Sequence, residues 1–222
     1  NLITFHPREF NLTLGHTLNL VLASIEYDQT ISFNTKGRGF EYRIFAGFNG
    51  ELEDLKYTSA GIFDARYHIS GQDGSTDYLR DEVFMGRSET SGVLSRQFTA
   101  SQGGLKISTD YLGQAKTWLA ALNVKVPFPG KLPFYFFADV GLFDKAKVNS
   151  LKSETDYIYD AGIEIRLIPK VFSIYLPLFY SANVKEIYEQ FPDRYGNYWK
   201  KIRFELNLSK LNPFTLRDQV RF

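Results

Sequence analysis

The chain has no cysteine, one methionine and three histidines among its 222 residues. A disulfide framework and a thiolate metal site are therefore excluded. The histidines (His6, His16 and His68) have no paired-ligand spacing, there is no HExxH sequence, and no serine lies in a GxSxG elbow. We predict no catalytic residue, no metal site and no cofactor, and whether a larger protein containing this chain is an enzyme stays open.

The chain also lacks an excess of either charge and a long apolar run. Its 26 basic and 25 acidic residues are interspersed, which argues against a nucleic-acid partner. The longest apolar stretch, Leu132 to Phe143, is broken by Asp139, whereas a spanning helix needs ~18 apolar residues. A membrane passage would therefore use strands. No signal peptide begins at Asn1, so we expect a mature form or the carboxyl-terminal part of a longer protein.

What the chain does have is alternation of apolar and polar residues with a period of two, which indicates β-strands with one face of each kind. Between Phe40 and Phe48, for example, rings and aliphatic side chains alternate with Glu41 and Arg43. We predict eight such strands, at residues 25–33, 40–48, 63–69, 118–126, 132–140, 157–167, 172–180 and 199–210.

Alternation also fits a soluble sandwich or a lipocalin-like barrel. Three features favour a membrane barrel: strands of about ten residues, aromatic rings near both ends of the apolar faces, and long loops (71–113, 144–156, 182–198) that alternate with short turns. The predicted fold is all-β, an antiparallel up-and-down transmembrane β-barrel of about 10–12 strands. It forms a single outer-membrane domain over residues 1–222.

The alternation assigns side chains to the two faces of the predicted barrel. A charge network in the lumen is expected from Glu41, Arg43, Asp64, Arg66, Asp139, Asp160, Glu164, Arg166, Arg203 and Glu205. Lipid-facing residues are expected at Ile163, Ile165, Phe204, Leu206 and Leu208. The charges could line a channel or a catalytic lumen. We favour acids and bases that pair across strands and fill a narrow barrel.

Several segments resemble known outer-membrane proteins. They are Trp118-Leu119-Ala120-Ala121-Leu122-Asn123, Phe137-Ala138-Asp139-Val140-Gly141, Ala161-Gly162-Ile163-Glu164-Ile165, Lys201-Ile202-Arg203-Phe204 and Leu211-Asn212-Pro213-Phe214. Together they resemble the carboxyl-terminal region of large outer-membrane proteins that carry an aminopeptidase-N-like zinc peptidase domain. More distantly they are similar to BamA-like surface-antigen barrels. The terminal Phe222 resembles the recognition signal that the outer-membrane assembly machinery reads.

The first resemblance implies that the zinc site of such a peptidase lies outside this chain. We therefore predict a barrel in the outer membrane of a Gram-negative bacterium that anchors a peptidase-like domain or partner subunits. The expected partners are the lipid bilayer, the assembly machinery and subunits of a membrane complex. The alternatives are a transport or protein-assembly barrel of the BamA-like type, an enzyme with its site on the loops or in the lumen, and a soluble barrel.

Overall fold

The computed structural model describes residues 6–16, 20–33, 38–51, 67–77, 80–130, 132–145 and 155–208. The strands are β1 (Arg8–His16), β2 (Leu20–Ser32), β3 (Gly39–Glu51), β4 (Gln72–Asp73), β5 (Phe98–Thr99), β6 (Ala115–Pro127), β7 (Phe134–Lys145), β8 (Thr155–Ile168), β9 (Phe172–Tyr180) and β10 (Arg203–Leu206). The helices are α1 (Ala182–Gln190) and α2 (Pro192–Tyr195). Three short 3-10 turns cover Leu94–Arg96, Asp110–Gly113 and Tyr198–Lys201. Neither α-helix is long and apolar enough to cross a membrane.

Eight strands form one antiparallel sheet in the order β1-β2-β3-β6-β7-β8-β9-β10, and β4 pairs with β5 in a separate ribbon. The predicted antiparallel all-β fold is confirmed. The predicted closure is not found: within the described residues no pairing joins β1 to β10, so these two strands are the edges of an open sheet.

Six of the predicted strands correspond to β2, β3, β6, β7, β8 and β9. The strand predicted at 199–210 is confirmed only for Arg203–Leu206, and residues 209–210 lie outside the described residues. A 3-10 turn covers its beginning, where the Asn197 side chain accepts a hydrogen bond from the Lys200 amide at 3.1 Å. Helices α1 and α2 replace the loop predicted at 182–198. The prediction for 63–69 falls mostly outside the described residues, and Tyr67 to Ile69 is not part of any of the ten strands.

The sheet is strongly curved. Arg166 on β8 lies three strands away from Glu41 on β3, which would be about 14 Å in a flat sheet at ~4.8 Å per strand. Nevertheless, the Arg166 Nη1 and Nη2 atoms donate to the two carboxylate oxygens of Glu41 at 2.7 and 2.9 Å. The wall therefore curls around a narrow concave inner face.

A segment between β3 and β6 fills this concavity. We call residues 67–77 and 80–113 the inner segment. Its residues Ile69, Leu105 and Ile107 are completely buried and pack in one cluster with apolar residues of the wall and of α1. Gly141 on β7 makes room for it, since a Cβ atom at Gly141 would lie 2.2 Å from Ile69 Cδ1. The interior is therefore packed rather than hollow along the described part of the wall.

The connections differ between the two ends of the sheet. At one end, short turns join β2 to β3, β6 to β7 and β8 to β9. At the other end, β3 leads toward the inner segment, β7 ends and β8 begins, the helical connection joins β9 to β10, and three residues separate the end of β1 from the start of β2. We call these the short-turn end and the long-loop end.

Candidate functional site

The two faces of the sheet have the reverse of the usual polarity. The convex outer face exposes large apolar side chains at Ile25, Ile44, Phe48, Leu122, Val126, Phe136, Val140, Leu142, Tyr157, Tyr159 and Leu178. The inner face buries charged side chains at Arg43, Asp139, Asp160, Glu164 and Arg203. These lie beside the apolar wall residues, such as Phe45 and Phe143, that pack against the inner segment. In a water-soluble domain, charged residues are mostly exposed and large apolar ones buried.

One row of polar residues crosses six adjacent strands on the inner face. The strand registers place Glu9, Asp28, Arg43, Asn123, Asp139 and Asp160 next to one another in this order. We call this set the polar row. Four of its members are acids and only one is a base, so it needs cations from elsewhere.

Lys106 of the inner segment supplies one of these cations. Its side chain is 1% exposed, and its Nζ atom lies 2.9 Å from Asp139 Oδ2. Its backbone amide donates to Asp160 Oδ2 at 2.9 Å. The second oxygen (Oδ1) of both aspartates is buried without a hydrogen-bond partner among the described residues. Among the described residues, the Lys106 ammonium is therefore the counter-ion of Asp139, and the Lys106 backbone amide holds Asp160 beside it.

Arg43, the base of the polar row, pairs with an acid next to the row on β2. Its guanidinium binds both carboxylate oxygens of Glu26, at 2.9 and 2.7 Å, and donates to Asn123 Oδ1 at 2.9 Å. Asn123 in turn donates to the Gly103 carbonyl at 3.0 Å. Side chains of the wall thus also hold the backbone of the inner segment.

A second charge network lies nearer the short-turn end, around Glu164 on β8. Its carboxylate lies 2.9 Å from both Lys125 Nζ and Arg166 Nε and accepts from the Ser173 hydroxyl at 2.8 Å. Arg166 also stacks over the Tyr135 ring, at 3.8 Å from the centroid. Buried charges are stable when paired and hydrogen-bonded in this way.

Tyr175 extends the second network to the edge strand. Its hydroxyl accepts from Lys125 Nζ and donates to Glu205 Oε2, both at 3.0 Å. The other oxygen of Glu205 accepts from the Ala100 amide of the inner segment at 3.3 Å. One chain of contacts therefore runs from β6 through β9 to β10 and ends on the inner segment.

Arg203 on β10 makes the remaining strong contact with the inner segment. It donates to the Ile107 carbonyl at 2.9 Å and stacks over the Phe98 ring at 4.3 Å. Its Nη2 atom lies 3.7 Å from Asp73 Oδ2. Burial alone would raise the pKa of Asp73, but Arg203 and the hydrogen bonds from Ser75 outweigh burial and lower it. Asp73 therefore stays ionised at neutral pH.

The structure describes most of the residues predicted for the lumen charge network. Eight of the ten lie on the inner face, and each takes part in an ion pair or a hydrogen bond. They are Glu41, Arg43, Asp139, Asp160, Glu164, Arg166, Arg203 and Glu205. Asp64 and Arg66 lie outside the described residues. Sequence reasoning missed Lys106, Lys125, Asn123 and Tyr175. The last three had a signal, because each lies on the face of an alternating strand opposite the apolar side chains.

The five residues predicted to face lipid lie away from the charge networks. Ile163, Ile165, Phe204 and Leu206 are half-buried on the outer face, and Leu208 is exposed just beyond β10. Phe222 lies outside the described residues, so its role as a signal stays a prediction.

The site consists of ion pairs and hydrogen bonds between the wall and the inner segment. Among the described residues, no group of three or more histidine, aspartate or glutamate side chains could hold a metal ion. What the arrangement can do is pair charges in a packed interior and fix the inner segment to the wall. No protein family, curated protein or solved structure matches this chain.

Proposed function

We propose that this chain is the wall of an outer-membrane β-barrel that acts as an anchor or scaffold for a peptidase-like domain or for partner subunits. One observation carries the proposal: the sheet exposes its apolar face and buries its charged face. This distribution is costly in water and favourable in a bilayer, where hydrocarbon covers the apolar face.

The size of the apolar band fits a bilayer. From Phe40 to Phe48 the outer face of β3 extends about 27 Å along the strand, at ~3.4 Å per residue. A strand tilt of about 40° reduces this to a height of roughly 21 Å, close to the apolar band of ~25 Å in outer-membrane barrels. Rings lie near both ends of the band, with Phe48, Tyr157 and Phe179 toward the long-loop end and Phe10, Phe33 and Phe136 toward the short-turn end.

The packed interior supports an anchor rather than a pore. The side chains of an eight-stranded barrel already fill its lumen, yet here a backbone segment with a buried apolar cluster also lies inside the curve of the sheet. A closed barrel that holds the inner segment therefore needs more than eight strands, which agrees with the predicted number of about 10–12 strands.

The second candidate is a transport or protein-assembly barrel of the BamA-like type. The open seam between β1 and β10 favours it, since such a function needs a weakly paired first and last strand. In that case the inner segment would be a plug that moves aside.

Refolding of the purified full chain into detergent micelles and thin liposomes tests the proposal. We expect a heat-modifiable band on gels and no single-channel conductance, because the inner segment occludes the interior. A folded, conducting species would support the transport candidate instead. Cooperative folding in plain buffer, without detergent, would contradict a membrane location.

A further inference from the structure

Two buried acids face each other across neighbouring strands of the inner face. Asp139 on β7 lies directly opposite Asp160 on β8, and the two residues are 3% and 1% exposed. Their carboxyl groups are close enough for a hydrogen bond between them. Like charges directly opposite each other destabilise an antiparallel pair of strands, and two carboxyl groups in one dry site cannot both be ionised without a large cost. A proton held by the pair removes this cost.

The hydrogen bonds of the pair leave a place for that proton. The Oδ2 atom of Asp139 binds Lys106 Nζ, and the Oδ2 atom of Asp160 accepts from the Lys106 amide, both at 2.9 Å. Neither Oδ1 atom has a donor among the described residues, although buried polar atoms are nearly always hydrogen-bonded. A proton on one carboxyl group supplies an O–H donor, and the other carboxyl group can accept from it.

The charges around the pair are one cation short among the described residues. Lys106 is the counter-ion of Asp139. Arg203 on β10 also faces Asp160, but its guanidinium lies 3.7 Å from Asp73, which is itself ionised. Three carboxyl groups therefore meet two bases, and one bound proton balances the count.

The other groups that face the pair carry no charge at neutral pH, since tyrosine is neutral below about pH 10. They are Asn123 of β6, Tyr180 of β9 and Tyr188 of α1. Arg43 on β3 is already bound to both carboxylate oxygens of Glu26. His68 of the inner segment lies near Asp73, so it is the second titratable group that can supply the missing positive charge, and the test below separates it from the aspartates.

We propose that Asp139 and Asp160 form a binding site for one proton, which the two carboxyl groups share at neutral pH. The Lys106 ammonium then neutralises the one negative charge that remains. Loss of the proton leaves an unpaired negative charge at the point where Lys106 attaches the inner segment to the wall, so this attachment weakens as the pH rises. The site does not depend on a membrane location, because the wall and the inner segment enclose it rather than lipid.

Urea-induced unfolding of the full chain at several pH values tests this proposal, in micelles or in plain buffer, whichever medium the chain folds in. Above about pH 5 both aspartates are ionised in the unfolded chain, so unfolding releases the shared proton. We expect the unfolding equilibrium constant to rise about tenfold per pH unit between about pH 6 and about pH 8. The stability that the proton contributes is present at the acid end of this range and is lost as the pH rises.

Asp160→Asn imitates the protonated acid, because its amide can accept from the Lys106 amide and donate to Asp139. In this variant the pH dependence should fall below about twofold per pH unit. The matched control is Asp144→Asn on β7. Asp144 is also buried, but it accepts from the Thr117 hydroxyl at 2.6 Å and lies opposite Thr155 instead of an acid. This control should keep the tenfold dependence of the wild type.

Two unfolding results would overturn the proposal. A tenfold dependence that persists in Asp160→Asn and disappears in His68→Gln would assign the proton to His68. A wild-type chain without the dependence would mean that another cation, such as one from the residues outside the described ranges, neutralises the pair.

Infrared spectroscopy decides the question if Asp160→Asn does not refold. With isotope-labelled aspartate in the wild-type chain, we expect the C=O stretch of a protonated aspartate at neutral pH. Its absence would overturn the proposal.

Discussion

Replacing Lys106 by methionine is expected to lower the free energy of unfolding by about 3–5 kcal/mol, because it leaves the buried Asp139 carboxylate without its counter-ion. Methionine retains most of the side-chain volume, so the loss of charge dominates the effect. The measurement is urea-induced unfolding of the refolded chain in detergent micelles, followed by tryptophan fluorescence.

Two controls separate charge from packing. Lys185→Met removes a lysine whose ion pair with Glu189 spans 3.7 Å and is largely exposed, so its expected effect is at most about 0.5 kcal/mol. Adding Asp139→Asn and Asp160→Asn to Lys106→Met should restore more than half of the lost stability, because no buried charge is then left unpaired. A loss below about 1 kcal/mol for Lys106→Met would contradict the role of Lys106 as the counter-ion.

Replacing Leu122 by arginine should change the free energy of unfolding by an amount that depends on whether water or lipid covers the outer face. Leu122 is 40% exposed near the middle of β6, and an exposed substitution in water usually changes stability by less than about 0.5 kcal/mol. In a bilayer the same arginine should cost about 2–4 kcal/mol if the residue lies near the midplane. Unfolding from liposomes and from micelles, compared for wild type and variant, measures the difference.

Val93→Arg is the matched control for this prediction. Val93 is also exposed and aliphatic, but it belongs to the inner segment and not to the outer face of the sheet. We expect it to be neutral in liposomes. Equal losses for the two variants would mean that the outer face has no special contact with lipid.

The long strands could be predicted from the sequence because alternation is a local property that burial enforces along each strand. β1 has the same signal, with Phe10, Leu12 and Leu14 between Glu9, Asn11 and Thr13, and the prediction overlooked it. Helix α1 lies in the segment 182–198, which was predicted to be a loop. Its buried residues Val184 and Tyr188 are four positions apart, which is a helical spacing.

The partners of the charges could not be predicted in the same way. Alternation identifies Asp139 and Asp160 as polar positions on strands, but Lys106, which contacts both, comes from an irregular segment 33 and 54 residues away in sequence. The sequence has only a short alternation there, Leu105-Lys106-Ile107, and this local pattern does not show which residues of the wall the lysine faces. Only the curvature of the sheet brings the three groups together.

The most direct test of the central claim is the environment of the outer face in a bilayer. Since the chain has no cysteine, single cysteines at Ala138, Val140 and Leu142 can carry nitroxide labels, with a label at Val93 as the reference. In liposomes we predict that the three β7 labels collide readily with oxygen and poorly with a water-soluble nickel complex, and that the Val93 label shows the reverse. Nickel accessibility at Val140 equal to that at Val93 would show that water covers the outer face, and it would contradict the proposed membrane barrel.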